Sequence, residues 1–469
     1  MDTVSLDDSG RDSCSTGFES SSPSSLSNSD NEDNVSCESS HHEPSNEKGK
    51  PNLVINTRQL WNEINKTAQW GAIAGTSGIA RLSLSNEDRC VRDYFVSETT
   101  KMGCQVTIDQ MGNIFAVLPG ENDEIPPIGI GSHLDTQPAG GRFDGILGVL
   151  GAVEVLKTIK NSNQKTYAPL AAINWTNEEG ARFTPGCSGS AVWAGHTLLS
   201  QAHAVSDSSS ARSIKQELER IRYLGSEPAD YRVNQLSAHF ELHIEQQRIL
   251  QDAQKKIGIV KSIQGIRWYR IHVHGQRAHA GSTPMDQRAD AMVAAANLIL
   301  FLEKRACGVV AVATTGVVEL DRPSPNTVPG EVLLTLDLRH PCEAELDGFE
   351  TAMRLYVSEF EVEHPKIQIN TTRIWRSPAA KMNDFAVSCA RRAAERIVGE
   401  ENVMDTTSLA GHDSALTSTR VPTSMIFVPS KDGMSHAPEE FTSEEQCGAG
   451  VQVLLEAVLE YDLSLRHAI

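Results

Sequence analysis

The chain has 469 residues, 39% of them hydrophobic and 22% charged, which is long enough for two domains with sizeable cores. A formal net charge of −19 argues against a nucleic-acid partner or an anionic membrane surface. No run of about 18 apolar residues is present to span a bilayer, Met1 to Gly10 is unlike a secretory or transit peptide, and nine cysteines without CxxC pairs suit reduced thiols; the expectation is a cytoplasmic protein.

Residues 1–50 hold fifteen Ser, eleven Asp or Glu and three Lys or Arg. Such a stretch buries too little apolar surface to offset its ordering entropy, so a disordered acidic tail is expected there. Helical patterns open at Asn56-Thr57 and again after Asn86-Glu87-Asp88, and residues 106–109 with 113–118 read as a hairpin around Met111-Gly112. Pro127 to Gly131 reads as a short buried strand, with His133-Leu134-Asp135 just past its end. Asp144-Gly145 stands at the entrance of the apolar helix that follows. Leu170 to Trp175 is a second buried strand, with the pair Glu178-Glu179 just past it. Strands alternating with helices in this order predict a mixed α/β sheet, and ligand-type residues at strand ends are where open α/β sheets place their sites.

From Ile257 the texture changes. Residues 268–274, 308–313, 332–338 and 367–370 read as strands, and 289–304 and 343–359 as helices. This β-α-β-β-α-β order predicts a split βαβ sandwich inserted in the main fold. A helix over 383–398 and a strand over 424–428 then resume the first sheet. The expected division is therefore a tail over 1–50, a discontinuous catalytic domain over 51–256 and 376–469, and a lid over 257–375.

His133, Asp144 and Glu179 are nitrogen and oxygen donors of the kind divalent metals take, and Glu178 offers a base beside them. His243 in Glu241-Leu242-His243-Ile244-Glu245-Gln246 and His436 in Gly433-Met434-Ser435-His436 are two further candidate ligands. A lone histidine is more often packed or solvated than a ligand; several at the strand ends of one sheet are a different matter. His272 and His274 share a strand face, which leaves two readings, an HxH metal pair and the favoured one, a solvated face.

The segments GSHLDTQPAGGRFDG (131–145), NWTNEEGARF (174–183), ELHIEQQ (241–247), HAGSTPMDQRADA (279–291), AGHDS (410–414) and GMSH (433–436) occur in this order. Together they resemble the N-carbamoyl-amino-acid amidohydrolases, including β-ureidopropionase, L-carbamoylase and allantoate amidohydrolase, within the di-zinc aminoacylase and carboxypeptidase superfamily. The resemblance runs from about Asn52 to the C-terminus and implies a mixed-sheet di-metal catalytic domain with an α+β lid that also dimerises. It implies one metal on His133, Asp144 and His243 and another on Asp144, Glu179 and His436. The ions would be zinc, although manganese, cobalt or nickel suits the same donors. Glu178 would be the base acting on a bridging water, and Asp135 would hydrogen-bond the far nitrogen of His133. His279 would stabilise the oxyanion, while Gln246, Asn326 and Arg339 would bind a small anionic N-carbamoyl amino acid. A homodimer through the lid is implied, and neither nucleic acid nor membrane is an expected partner. Gly411-His412-Asp413 matches the family without an assigned role.

Overall fold

The computed structural model describes residues 53–207, 209–307 and 310–467. The expected tail over 1–50 lies outside them, as do the first two residues of the strand expected over 308–313. Among the described residues no helix is long and apolar enough to cross a membrane.

Four parallel strands form the centre of a nine-stranded sheet: Leu170–Trp175, Ile128–His133, Ala238–Glu245 and Thr423–Pro429, in that spatial order. Each is buried along its whole length, as expected of parallel strands covered on both faces. The hairpin Gln105–Ile108 with Ile114–Leu118 extends one side of the sheet, its turn passing through Gly112 at φ 75°. On the other side Ile257–Ile263 pairs antiparallel with Thr423–Pro429 and parallel with Val403–Ser408.

Helix Ile146–Asn161 packs on three of the central strands, and its apolar sequence is buried nearly all round. Helix Glu444–His467 covers Ala238–Glu245 and Thr423–Pro429 from the C-terminus. Local signals set other helix starts. The Ser85 hydroxyl accepts from the Asp88 N–H, and the Asn383 carboxamide oxygen accepts from the N–H groups of Phe385 and Ala386.

A second sheet has the order Val318–Leu320, Glu331–His340, Gly265–His274, Gln368–Ser377, all antiparallel, with Val312–Thr314 also paired to Glu331–His340. Helices Ala291–Ala306 and Glu343–Glu363 lie on one face, over an apolar core separate from that of the large sheet. The β-α-β-β-α-β order is present, with the second strand broken into two short pieces. The texture change at Ile257 is a different matter. Strand Ile257–Ile263 belongs to the large sheet, held by its ladders to Thr423–Pro429 and Val403–Ser408, so the second sheet starts at Gly265. Periodicity cannot separate two consecutive strands that enter different sheets. The second sheet's last strand likewise runs on to Ser377.

Candidate metal and active site

The carboxyl ends of the four parallel strands converge on one acidic cluster. His133 is the last residue of its strand, and Glu178 and Glu179 follow closely on theirs. His243 projects from Ala238–Glu245, and His436 lies in the loop after Thr423–Pro429 with its backbone at φ 56°. Asp144 sits in their midst at the start of helix Ile146–Asn161. Its Oδ1 lies 3.1 Å from His243 Nε2 and 3.6 Å from His133 Nε2, and its Oδ2 lies 3.5 Å from His436 Nε2. His436 Nε2 is in turn 3.3 Å from Glu179 Oε2. One carboxylate therefore faces two donor sets, His133 with His243 and Glu179 with His436.

Hydrogen bonding fixes what each ring presents. His133 Nδ1 lies 2.9 Å from the Asp135 carbonyl and His243 Nδ1 lies 2.9 Å from the Ile244 carbonyl. A carbonyl only accepts, so Nδ1 carries a proton in both rings and Nε2 is the nitrogen turned toward the carboxylates. His243 Nε2 is buried with no hydrogen-bond partner, facing a carboxylate oxygen. Each Nε2 thus faces an Asp144 oxygen at 3.1–3.6 Å, a contact made favourable by a ring proton or by a cation held between the donors. Donors on one tetrahedral zinc, with bonds of about 2.0–2.2 Å, stand about 3.3 Å apart, close to the spacings here. The residues fit a divalent metal pair.

Charge points the same way. Burial pushes the Glu178 carboxyl well above its ordinary range; His133 opposes this, while Asp413, Glu179 and Asp144 add to it. Burial also lifts Asp135, to about 7. For His133 the penalty of burial is outweighed by Glu178, Asp144, Asp135 and Glu179, which hold its pKa well above normal. Such a concentration of buried carboxylates calls for positive charge, and bound dications supply it.

Neighbouring groups hold Asp144 in place. Its Oδ2 accepts from Gln246 Nε2 at 2.8 Å and from the Ser435 hydroxyl. The Glu440 carboxylate accepts the N–H groups of Phe143 and Asp144 at 2.9 and 3.0 Å. Gly145 follows at φ 69°, where a Cβ would stand 2.3 Å from His133 Cε1, so the close approach of helix and ring requires glycine.

Two expected roles change. Asp135 meets the far nitrogen of His133 through its backbone carbonyl, not its carboxylate, which instead accepts the N–H groups of Glu178 and Glu179 at 3.4 Å. Gln246 spends its NH2 on Asp144 and Ser435, and its Oε1 is buried without a partner; it orients a candidate ligand instead of standing free for substrate.

The second sheet carries the other candidates. Ala278–His279 pairs with Thr327–Val328, so His279 and Asn326 share one arm, and the Ala280 N–H donates to the Asn326 carbonyl at 2.9 Å. His279 Nδ1 accepts from the N–H groups of Gly281 and Ser282, both at 3.1 Å, which leaves Nε2–H as an outward donor. Among the described residues no hydrogen bond or ion pair joins this arm to the Asp144 cluster. Arg339 is gripped by Asp337 through Nε and Nη2 and donates from Nη1 to the Leu409 carbonyl at 3.0 Å. Two of its five N–H groups remain uncommitted.

Sequence reasoning gave no chemical role to several neighbours. Cys187 Sγ lies 3.5 Å from Glu178 Oε1, and the His412 ring packs 4.5 Å from that of His243 while its Nε2 meets the Ser408 hydroxyl at 2.8 Å. A cavity of about 340 Å³ opens beside Cys187, lined also by Pro185, Trp375 and Arg376. Arg376 has no ion pair among the described residues. Glu440, in the same loop as His436, was readable only by proximity.

The model of the peptidase family M20/M25/M40 matches residues 129–460. An N-carbamoyl-L-amino-acid amidohydrolase of Rhizobium meliloti is 37% identical over 418 residues, 87% of this chain and 97% of that one. A ureidoglycolate hydrolase of Arabidopsis thaliana is 30% identical, covering 86% of each. The crystal structure of an amidase of the hydantoinase/carbamoylase family from Burkholderia multivorans superposes with a TM-score of 0.78 at 38% identity, over 87% of this chain and 98% of that one. The chain thus belongs to peptidase family M20/M25/M40, on its amidohydrolase branch, and is a hydrolase of carbon–nitrogen bonds.

Proposed function

We propose that this enzyme hydrolyses the ureido C–N bond of N-carbamoyl amino acids, giving the free amino acid, carbon dioxide and ammonia. The observation that supports this most is Asp144 shared between two donor sets, with Glu178 beside them. His133, Asp144 and His243 would hold one divalent ion and Asp144, Glu179 and His436 the other, zinc being the ion these donors suit best. Bound there, the ions supply a water of lowered pKa and positive charge beside the substrate carbonyl. Glu178, whose Oε2 lies 3.5 Å from His133 Nε2, takes the water's proton and hands it to the departing nitrogen. His279 donates its Nε2–H to the oxyanion that forms at the ureido carbon. The substrate carboxylate takes the free N–H groups of Arg339, and Asn326 would reach it from the arm of a partner subunit.

We take residues 265–377 as a lid that also pairs two subunits, and the enzyme as cytoplasmic. The R. meliloti relative is named for N-carbamoyl-L-amino acids and the Arabidopsis one for ureidoglycolate. One methylene separates α- from β-amino acid substrates and is worth only about 1–3 kcal/mol in a pocket. Ammonia release from N-carbamoyl-L-α-amino acids, N-carbamoyl-β-alanine, allantoate and ureidoglycolate, on metal-loaded and chelator-stripped protein, tests the reading. Metal-dependent turnover of an N-carbamoyl amino acid is expected. Activity confined to N-acyl amino acids or dipeptides, with no ammonia, would overturn it.

A further inference from the structure

The outer face of the second sheet carries a cluster that the reaction does not use. His272 and His274 are two apart on strand Gly265–His274 and so project from one face, while Ile271 and Val273 between and beside them are buried in the core. Their rings lie 6.0 Å apart and nearly parallel, at 23°. On the neighbouring strand Glu331 stands directly across from His274, with Oε1 3.8 Å from His274 Nδ1. One ligand atom from each of the three falls within 4.8 Å of the others.

We propose that His272, His274 and Glu331 form a further divalent-metal site, separate from the Asp144 cluster. Two imidazoles and a carboxylate are the donor set of a borderline transition dication such as Zn2+, and a water or a donor from another molecule completes four-coordination. The backbone half of the site is prebuilt, because the antiparallel ladder fixes the register of Glu331 against His274 and the buried Ile271 and Val273 fix which face the histidines take. Only side-chain torsions remain to close the donors onto an ion. With the His274 and Glu331 side chains 41% and 46% exposed, those torsions are free to turn and an ion can enter from solvent. The residues opposite on strand Gln368–Ser377 are Asn370 and Gln368, neither of which competes as a cation; Arg270, the next outward residue on the same strand, is the nearest positive group in the pattern.

The position gives the site a consequence. Just beyond it the Gly275 N–H donates to the Gly330 carbonyl, and the two strands run on into the paired segments that carry His279 and Asn326. An ion joining His274 to Glu331 ties the two strands together at the root of that arm.

Equilibrium dialysis of the full chain against Zn2+, with metal counted per chain, tests this independently of any activity. The wild type should bind about one equivalent more than the double variant His272→Ala/His274→Ala, and Glu331→Gln should weaken that extra equivalent about ten-fold. Zn2+ should also protect His272 and His274 from acylation by diethylpyrocarbonate, read by peptide mass spectrometry on the unmutated protein. Equal stoichiometry in wild type and double variant, or equal modification with and without Zn2+, would overturn the proposal.

Discussion

At Glu178 three influences meet in one carboxyl: burial, a neighbouring imidazole and three further acids. A group in that setting holds a proton more readily than a solvated glutamate, which suits a base that must also give the proton back. Glu178→Gln keeps the side chain's size and its contact with Cys187 but loses proton transfer. Turnover should fall by about 10²–10⁴-fold or more while metal content stays unchanged. A variant with near-normal rate would remove Glu178 from the role of base. Arg339 is a second test at this scale. Asp337 clamps its planar fork, so the two free N–H groups point in a fixed direction. Arg339→Lys keeps the charge and loses the fork; KM should rise about ten-fold with kcat little altered, as expected when a bidentate grip on a carboxylate is lost. An unchanged KM there, with a raised KM in Arg376→Ala, would hand the substrate carboxylate to the unpaired Arg376.

The elements that carry the site are tied down by ion networks beside it. Helix Ile214–Ile221 presents Glu217 to Arg182, Arg212 and Arg220, and Arg182 follows closely on the site glutamates. Burial raises the Glu217 carboxyl, but the three guanidiniums outweigh it and hold the pKa below normal. A depressed folded pKa means stability that is present above the unfolded value, about 4.3, and lost as pH falls through the folded value. Glu217→Gln should therefore unfold at lower temperature than the wild type at pH 7, by an amount corresponding to about 2 kcal/mol, and the gap should shrink progressively as pH falls below the unfolded value. A gap that does not change with pH would mean that packing, not charge, holds the helix. Both apolar strands that end in site residues were legible because parallel strands buried on both faces read as continuous apolar runs. The six motif segments likewise pointed to His133, Asp144, Glu179, His243 and His436, which the fold brings into two adjoining donor sets. What stayed hidden was side-chain direction. Nothing in Glu241 to Gln246 says that the Gln246 amide turns to Asp144, and nothing in His133-Leu134-Asp135 says that a carbonyl rather than a carboxylate reaches the ring. The boundary at Gly265 was hidden for a related reason: ladder partners, not composition, decide which sheet a strand joins.

Across the whole molecule, the groups proposed for one reaction are divided between two sheets. Glu178 and the metal donors sit at the strand ends of the large sheet, while His279 and Asn326 sit on the arm of the small one, with no described bond or ion pair joining them. His279 nonetheless has its Nε2–H set outward by two backbone donors to Nδ1, as a donor to something beyond its own loop. A homodimer built through the small sheet resolves this if each arm completes the partner's site. The arrangement makes an arithmetic prediction for mixed subunits. Glu178→Gln and His279→Ala homodimers should each be close to inactive. After exchange of equal amounts, about half of the dimers carry one subunit of each kind. In such a dimer one site pairs an intact Glu178 with an intact His279 from across the interface, and the other site has lost both. Activity should therefore return to about a quarter of the wild-type value, and only under conditions that allow subunits to exchange. If the arm serves its own subunit instead, every site in the mixture lacks one group or the other, and mixing restores nothing.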